Sequence, residues 1–224
     1  MNESVIFKDR MDAAEQLAAG LQEYQGRNPL ILAIPRGAVP MGKVLAERLH
    51  GELDIVLAHK LASPFNPEFA IGAIDETGWV YLSSTGEEDE DTIAMTETIR
   101  ERQLAELRQR RILYAPFMRP IDPQGRIAIV VDDGLATGAT MIAALHAVRA
   151  RQPAELICAI PVAASDSLEK ITPLVDKVVC LHETWQFGAI SQFYAQFSQV
   201  DDEEVRQILA AGSGATVPTS LPNG

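Results

Sequence analysis

A three-layer α/β/α fold around a mostly parallel central sheet is the class the sequence predicts, and three observations carry that expectation. Five apolar segments, at residues 30–34, 53–59, 127–131, 155–162 and 177–181, recur along the chain with helical patterns among them. Strands that alternate with helices build parallel sheets whose faces the helices cover. The central segment, Ile127 to Val131, is a continuous apolar run of β-branched residues with one alanine, the pattern of a strand buried on both faces. Finally, 224 residues with 47% apolar and 22% charged side chains fit one domain with a sizeable core. We read residues 1–210 as that domain, with a small C-terminal hood at about 182–200, and 211–224 as a disordered tail.

Taken in order, Asp9 is placed to cap a first helix, with Asp12 in its first turn. Ala14, Leu17, Ala18 and Leu21 follow at helical spacing, and Gly26 lies beyond the end. The first strand, 30–34, runs into Pro35-Arg36-Gly37-Ala38-Val39-Pro40, and a helix from about Met41 to Leu49 follows. The second strand, 53–59, ends in His59-Lys60. Residues 63–72 hold Pro, Asn and Gly and read as a loop, and 73–82 as a hairpin around Glu76-Thr77-Gly78. The acids from Glu87 to Asp91 precede a helix reaching about Leu113, where they oppose its dipole favourably; we prefer that reading to a metal site. Ile93, Ile99, Leu104 and Leu107 give this helix a narrow apolar stripe. After the central strand, Ile142, Leu145 and Val148 keep a helix on the sheet until Pro153. A helix begun at Ser165 or Asp166 separates the last two strands, and a short acid-started helix spans 201–210.

Composition excludes some function classes. A formal charge of −12 argues against a nucleic-acid surface, which needs a basic face. No signal peptide is apparent, and no apolar run approaches the ~20 residues of a membrane span. Cys158 and Cys180 sit in apolar strand-like runs without metal or redox spacing; we read them as reduced core residues of a cytoplasmic protein.

The chemistry concentrates between Arg126 and Met141, R-I-A-I-V-V-D-D-G-L-A-T-G-A-T-M. A strand, two acids, a turn with Gly134 and Gly138, and a helix make the layout of a phosphate site. Unpaired amides and the helix dipole at that turn favour an anion, glycines let the backbone approach it, and Thr137 and Thr140 offer hydroxyls. Asp132 and Asp133 cannot hold phosphate, because like charges repel; sugar hydroxyls or a metal are their natural partners. The bland alternative is a strand-turn-helix capped by Thr137 with solvated acids.

This motif resembles the ribose-5-phosphate loop of the type I phosphoribosyltransferases. With I-P-R-G, H-K-L, N-P-E-F-A-I-G-A-I and F-x-Q-V-x-D-E-E-V, the chain resembles the bacterial "predicted phosphoribosyltransferase" group. The resemblance implies that Asp132 and Asp133 hold the 2′- and 3′-hydroxyls of phosphoribosyl pyrophosphate (PRPP). It implies that Gly134, Leu135, Ala136, Thr137, Gly138, Ala139 and Thr140 wrap the 5′-phosphate. Arg36 and Gly37 fall in the pyrophosphate loop, where R36-G-A-V-P40 is similar to the R-G-G-x-V-P of xanthine-type members. Ala38 replaces a glycine there, and its Cβ is expected to crowd the loop. Lys60 matches the second residue of the family's Arg-Lys pair and His59 departs from the first. A flexible loop near 63–82 is implied to close over the reacting centre. The aromatic block from His182 to Ser198 supplies the hood; Trp185 and Phe187 are the candidates for stacking on a nucleobase, while Phe193 and Phe197 are expected in the core.

The implied activity transfers ribose-5-phosphate from PRPP to a nucleobase or related nitrogen, releasing pyrophosphate, with Mg²⁺ bound mainly through PRPP. The resemblance leaves room for a homodimer. The alternative is a non-catalytic PRPP-binding regulator. A PRPP synthetase needs roughly twice the domain length, and a phosphohydrolase on the same scaffold remains a rival, since fold does not fix function.

Overall fold

The computed structural model describes residues 5–62, 70–82 and 90–213. Its central sheet is built from β1 (Leu30–Ala33), β2 (Glu52–Ile55), β6 (Ile127–Val131), β7 (Glu155–Ala164) and β8 (Lys177–Thr184). These five strands lie in the order β2-β1-β6-β7-β8, all neighbours parallel. Side chains alternate across the sheet with period two. Ile31, Ala33, Ile129, Val131, Ile157 and Ala159 enter one core beneath α1 (Arg10–Gly20) and α2 (Val39–Leu49). Leu30, Leu32, Ala128, Val130, Leu156 and Cys158 enter the other, shared with α4 (Ala139–Arg149). Apolar residues on both faces force helices onto both, and three layers result.

The expected cap on α1 is present: Asp9 Oδ1 accepts from the Met11 and Asp12 amides, each at 2.9 Å. Helix α2 starts two residues earlier than expected, at Val39, because Pro40 fits a first helical turn. Ala38 precedes it with φ −83° and ψ −11°, fully buried. Its methyl therefore lies in the core with an ordinary backbone, and the crowding expected of it does not arise.

The single strand expected over 53–59 is two. Val56 N still reaches Ala33 O at 3.1 Å, but β1 offers no partner further on. The chain turns into β3 (Ala58–Ala62), which pairs antiparallel with β4 (Ala70–Asp75), itself paired with β5 (Val80–Leu82). Val56, Leu57 and Ala58 are buried across the break, so the apolar run gave no sign of it. His59 and Lys60 thus belong to this second sheet. The 73–82 hairpin is present, but its first strand begins at Ala70 inside the expected loop. Residues 63–69 and 83–89, where the expected closing loop and the acids Glu87, Glu88 and Asp89 fall, lie outside the described residues.

Strands β7 and β8 outrun their expected ends because they pair with each other through Ala164↔Thr184. His182 to Thr184 are consequently strand, and the overhanging segment begins at Trp185. Helix α3 spans Glu90–Tyr114, with Leu107 buried and Ile99 and Leu104 packed on the core. Helix α5 is Ser165–Ile171. Helix α6, Asp202–Ser213, carries Ala211 to Ser213, which the tail was expected to include. Both cysteines are free; burial raises both thiols, that of Cys180 to about 11. Among the described residues no helix is long and apolar enough to cross a membrane.

Candidate functional site

β1 and β6 are parallel neighbours, so the segments leaving their carboxyl ends lie side by side, tied by Ile34 N to Val131 O at 3.1 Å. The turn after β6 is held from below. Leu135 donates its amide to Val162 O (2.8 Å) and accepts from Ala164 N (2.9 Å), while Ser167 Oγ donates to Ala136 O at 2.6 Å. Leu135 is buried and anchors the turn; the sequence had placed it against ligand. Gly138, with φ +79°, is the residue before α4, and no side chain caps that helix, Thr137 included. Ile142 N to Gly138 O is the first bond of α4. The amides of residues 136 to 141 consequently have no hydrogen-bond partner among the described residues. Ala136 and Thr137 are exposed, Thr140 half-buried and Ala139 buried. Unpartnered amides at a helix start are the kind of group that can receive an anion. In the turn after β1, closed by Val39 N to Arg36 O, the amides of Arg36, Gly37 and Ala38 also have no partner among the described residues; the Pro35–Arg36 peptide is cis.

The two acids between these turns differ. Asp132 Oδ1 accepts from the Asp133 amide at 2.9 Å, and among the described residues no cation pairs with its carboxylate. Burial, then the neighbouring Asp133 charge, raise its pKa well above the usual carboxylate range. Asp133 Oδ2 accepts from Arg10 Nε (2.9 Å) and Nη2 (2.8 Å). Burial raises Asp133 as well, and the Arg10 guanidinium opposes that rise. Arg10 also donates from Nη1 to Ser198 O at 2.6 Å and lies 3.8 Å from the Phe197 ring centre. Tyr194 Oη donates to Asp133 O at 2.7 Å. Gly134 is covered by Ile190: a Cβ there would come within 2.7 Å of Ile190 Cγ2. The segment after β8 therefore rests on the acids and the start of the turn. Arg10, Tyr194 and Ile190 were missed in the sequence, which holds no local signal for them.

The other expected site residues are less tightly gathered. Arg36 Nη1 lies 3.6 Å from Asp202 Oδ2, both side chains about a third exposed. Lys60 is exposed on β3 opposite Ala73, without an ion pair among the described residues; His59 Nδ1 contacts Lys60 O at 2.9 Å. Phe187 packs on Phe193, ring centres 5.3 Å apart, and Phe193 is fully buried as expected. Phe197, expected in the core, packs against its edge, half-buried beneath Arg10. Trp185 is 74% exposed, which removes the alternative that it plugs the core.

A profile of the phosphoribosyl transferase domain matches residues 6–197. Two curated relatives, from Mycobacterium tuberculosis strains CDC 1551 / Oshkosh and H37Rv and named provisionally as phosphoribosyl transferases, are each 38% identical over 202 residues. The alignment takes in 89% of this chain and 45% of each relative, so the chain spans about half the length of the curated relatives it matches. Among solved structures, TT1426 from Thermus thermophilus is 36% identical with a TM-score of 0.79, covering 93% of this chain and all of that one.

Proposed function

The chain belongs to the phosphoribosyl transferase domain family, and from that premise we propose that it moves the ribose-5-phosphate of PRPP to a nitrogen acceptor, a nucleobase or related amine. The observation that carries this reading is the set of amides from 136 to 141 without partners among the described residues, directly after two acids, with a second such turn at 36–38 packed through Gly37 against Asp133. In this proposal the 136–141 amides and the α4 dipole hold the 5′-phosphate. Asp132 and Asp133 accept hydrogen bonds from the ribose hydroxyls and lie near the ring as it becomes cationic. The 36–38 amides and Arg36 take the pyrophosphate, with Lys60 approaching as a further cation.

The acceptor nitrogen forms a bond to the anomeric carbon as the carbon–oxygen bond to pyrophosphate breaks. The electron pair leaves with pyrophosphate, and the acceptor gives up a proton. Positioning and fixed charge supply most of the acceleration. In this proposal a Mg²⁺ carried in by substrate oxygens and water would help to neutralise the leaving group. The decisive experiment incubates the protein with Mg-PRPP and a panel of nucleobases and follows pyrophosphate and nucleotide. Pyrophosphate released only with an acceptor supports transfer; release without one indicates hydrolysis, and binding without turnover the regulatory alternative.

Two expectations refine the acceptor. Hypoxanthine- and guanine-using members of the family resemble one another in an aspartate before the Thr-Gly of this loop, poised at the purine nitrogen; this chain has the exposed Ala136. Without a general base there, a loss on the order of 10²–10⁴-fold is expected, so hypoxanthine and guanine should be poor substrates despite the xanthine-type look of residues 36–40. Rapid conversion of either to its nucleotide would contradict this. The second expectation concerns Trp185, one residue beyond β8. In a Trp79→Phe chain, where Trp185 is the remaining indole, a base added after Mg-PRPP should quench its emission. Trp185→Ala should weaken base binding by about 1–3 kcal/mol, as for other aromatic–base stacks, and leave PRPP binding intact. Emission that ignores every base with PRPP bound would place the acceptor elsewhere.

A further inference from the structure

We propose that Arg10 is a positioning residue for ribose recognition, aiming the Asp133 carboxylate and coupling it to the segment from Tyr194 to Ser198. The inference rests on the reading of Asp132 and Asp133 as the ribose acids. All three guanidinium nitrogens of Arg10 are engaged in two tasks: Nε and Nη2 grip Asp133 Oδ2, and Nη1 grips Ser198 O. Its guanidinium lies over Phe197 at 3.8 Å, and Phe197 packs in turn on Tyr194 in a tilted pair, with ring centres 5.0 Å apart. Tyr194 closes the ring by donating to Asp133 O. The carboxylate, the guanidinium and the C-terminal segment therefore form one closed circuit of contacts. Because Oδ2 takes both arginine nitrogens, Oδ1 is the oxygen left to accept a sugar hydroxyl. A guanidinium suits this role better than an ammonium, since its planar fork serves several acceptors at fixed angles while its face stacks.

The charges facing Asp133 define what Arg10 does. Asp132 beside it is a second acid, and Tyr194 over it is a phenol whose own pKa is raised by burial and then by Asp133. Cys158 lies behind Asp132 with its thiol raised by burial. Arg10, at the start of α1, is the cation paired with Asp133 among the described residues. Removing it leaves a buried carboxylate beside like charge, so protonation becomes easier. A protonated carboxyl loses acceptor capacity for the sugar diol, and ligand binding then fails at a higher pH than in the wild-type chain.

The test compares wild type, Arg10→Gln and Arg10→Lys in two readouts. Mg-PRPP affinity is measured by calorimetry from pH 5 to 9, and the Asp133 carboxyl carbon is titrated by NMR without ligand, assigned with Asp133→Asn. The expected result is that Arg10→Gln moves the acidic limb of PRPP binding and the Asp133 titration upward together, by roughly 1 pH unit or more. Arg10→Lys should restore most of the titration, because it keeps the charge, yet leave affinity reduced, because it loses the fork. An Asp133 titration unchanged in Arg10→Gln overturns the proposal, as does an affinity lowered equally at every pH. Should wild type ignore PRPP while the Asp133 titration still moves, Arg10 keeps its hold on the acid and the ligand reading is what fails.

Discussion

Asp132→Asn combined with Asp133→Asn is expected to erase the thermal stabilisation that Mg-PRPP gives the wild-type chain. At ~100 times its dissociation constant a ligand adds ~2.7 kcal/mol, about 5–10 °C in melting temperature for a chain of this size; the double variant should show no shift. The single variants should diverge in the absence of ligand, because the two acids sit in different fields. The folded-state pKa of Asp132 is raised, so the fold binds its proton more tightly than the unfolded chain does. Its contribution to stability is greatest below the unfolded value of ~3.9 and falls as pH rises through the folded value. At neutral pH, Asp132→Asn removes a carboxylate that opposes folding, and its apo melting temperature should equal or exceed wild type. Burial raises Asp133 as well, but Asp133→Asn also takes the ionised partner from Arg10. Losing a hydrogen-bonded charge partner costs about 1.5–3 kcal/mol, so this variant should melt roughly 3–12 °C lower. Calorimetric melts with and without Mg-PRPP decide both points. A double variant that still responds fully to PRPP would remove the acids from ribose recognition.

That contrast between adjacent aspartates also marks the limit of what the sequence discloses. The motif V-V-D-D-G-L-A-T-G-A-T is contiguous, and its physics is local: a strand end, a positive-φ glycine and a helix start follow from neighbouring residues, so the strand-turn-helix could be read in advance. Arg10 could not, because it acts across 123 positions of chain and looks in sequence like any polar residue opening an amphipathic helix. The order β2-β1-β6-β7-β8 brings α1 over the acids, and no periodicity encodes that order. Leu135 was assigned to ligand because it sits inside the motif, yet its backbone is consumed by Val162 and Ala164. The break between β2 and β3 was hidden for a related reason. Burial on both sides of Val56 to Ala58 keeps the run apolar while the hydrogen-bond partner changes from β1 to β4, and hydrophobicity reports burial without reporting the partner.

Gly37→Ala should be among the most damaging single changes in the site, although Gly37 has no positive φ that would demand glycine. The reason is space. A Cβ at residue 37 would lie 2.2 Å from Asp133 Oδ2, 3.1 Å from its Cγ and 3.2 Å from Arg10 Nη2. The oxygen it strikes is the one Arg10 holds, so relief requires either that the carboxylate leave the guanidinium or that the 35–38 turn back away from β6. The first option forfeits the ion pair and the second separates the two turns. Overpacking by itself costs about 1–3 kcal/mol, and loss of the charged hydrogen bonds adds about 1.5–3 kcal/mol. Urea melts should therefore show a loss of ~3 kcal/mol or more, with PRPP stabilisation abolished. Ala38→Gly is the neighbouring control: it deletes a buried methyl from an unstrained backbone, so a cost of about 1 kcal/mol is expected, with PRPP binding retained. A second cycle separates crowding from backbone effects. Asp133→Ala opens the space that the new methyl needs, so Gly37→Ala should cost much less in that background, a coupling of about 0.5–3 kcal/mol. Additive losses would mean the methyl is accommodated without touching Asp133, and the close approach of the two turns would then not be what glycine at position 37 preserves.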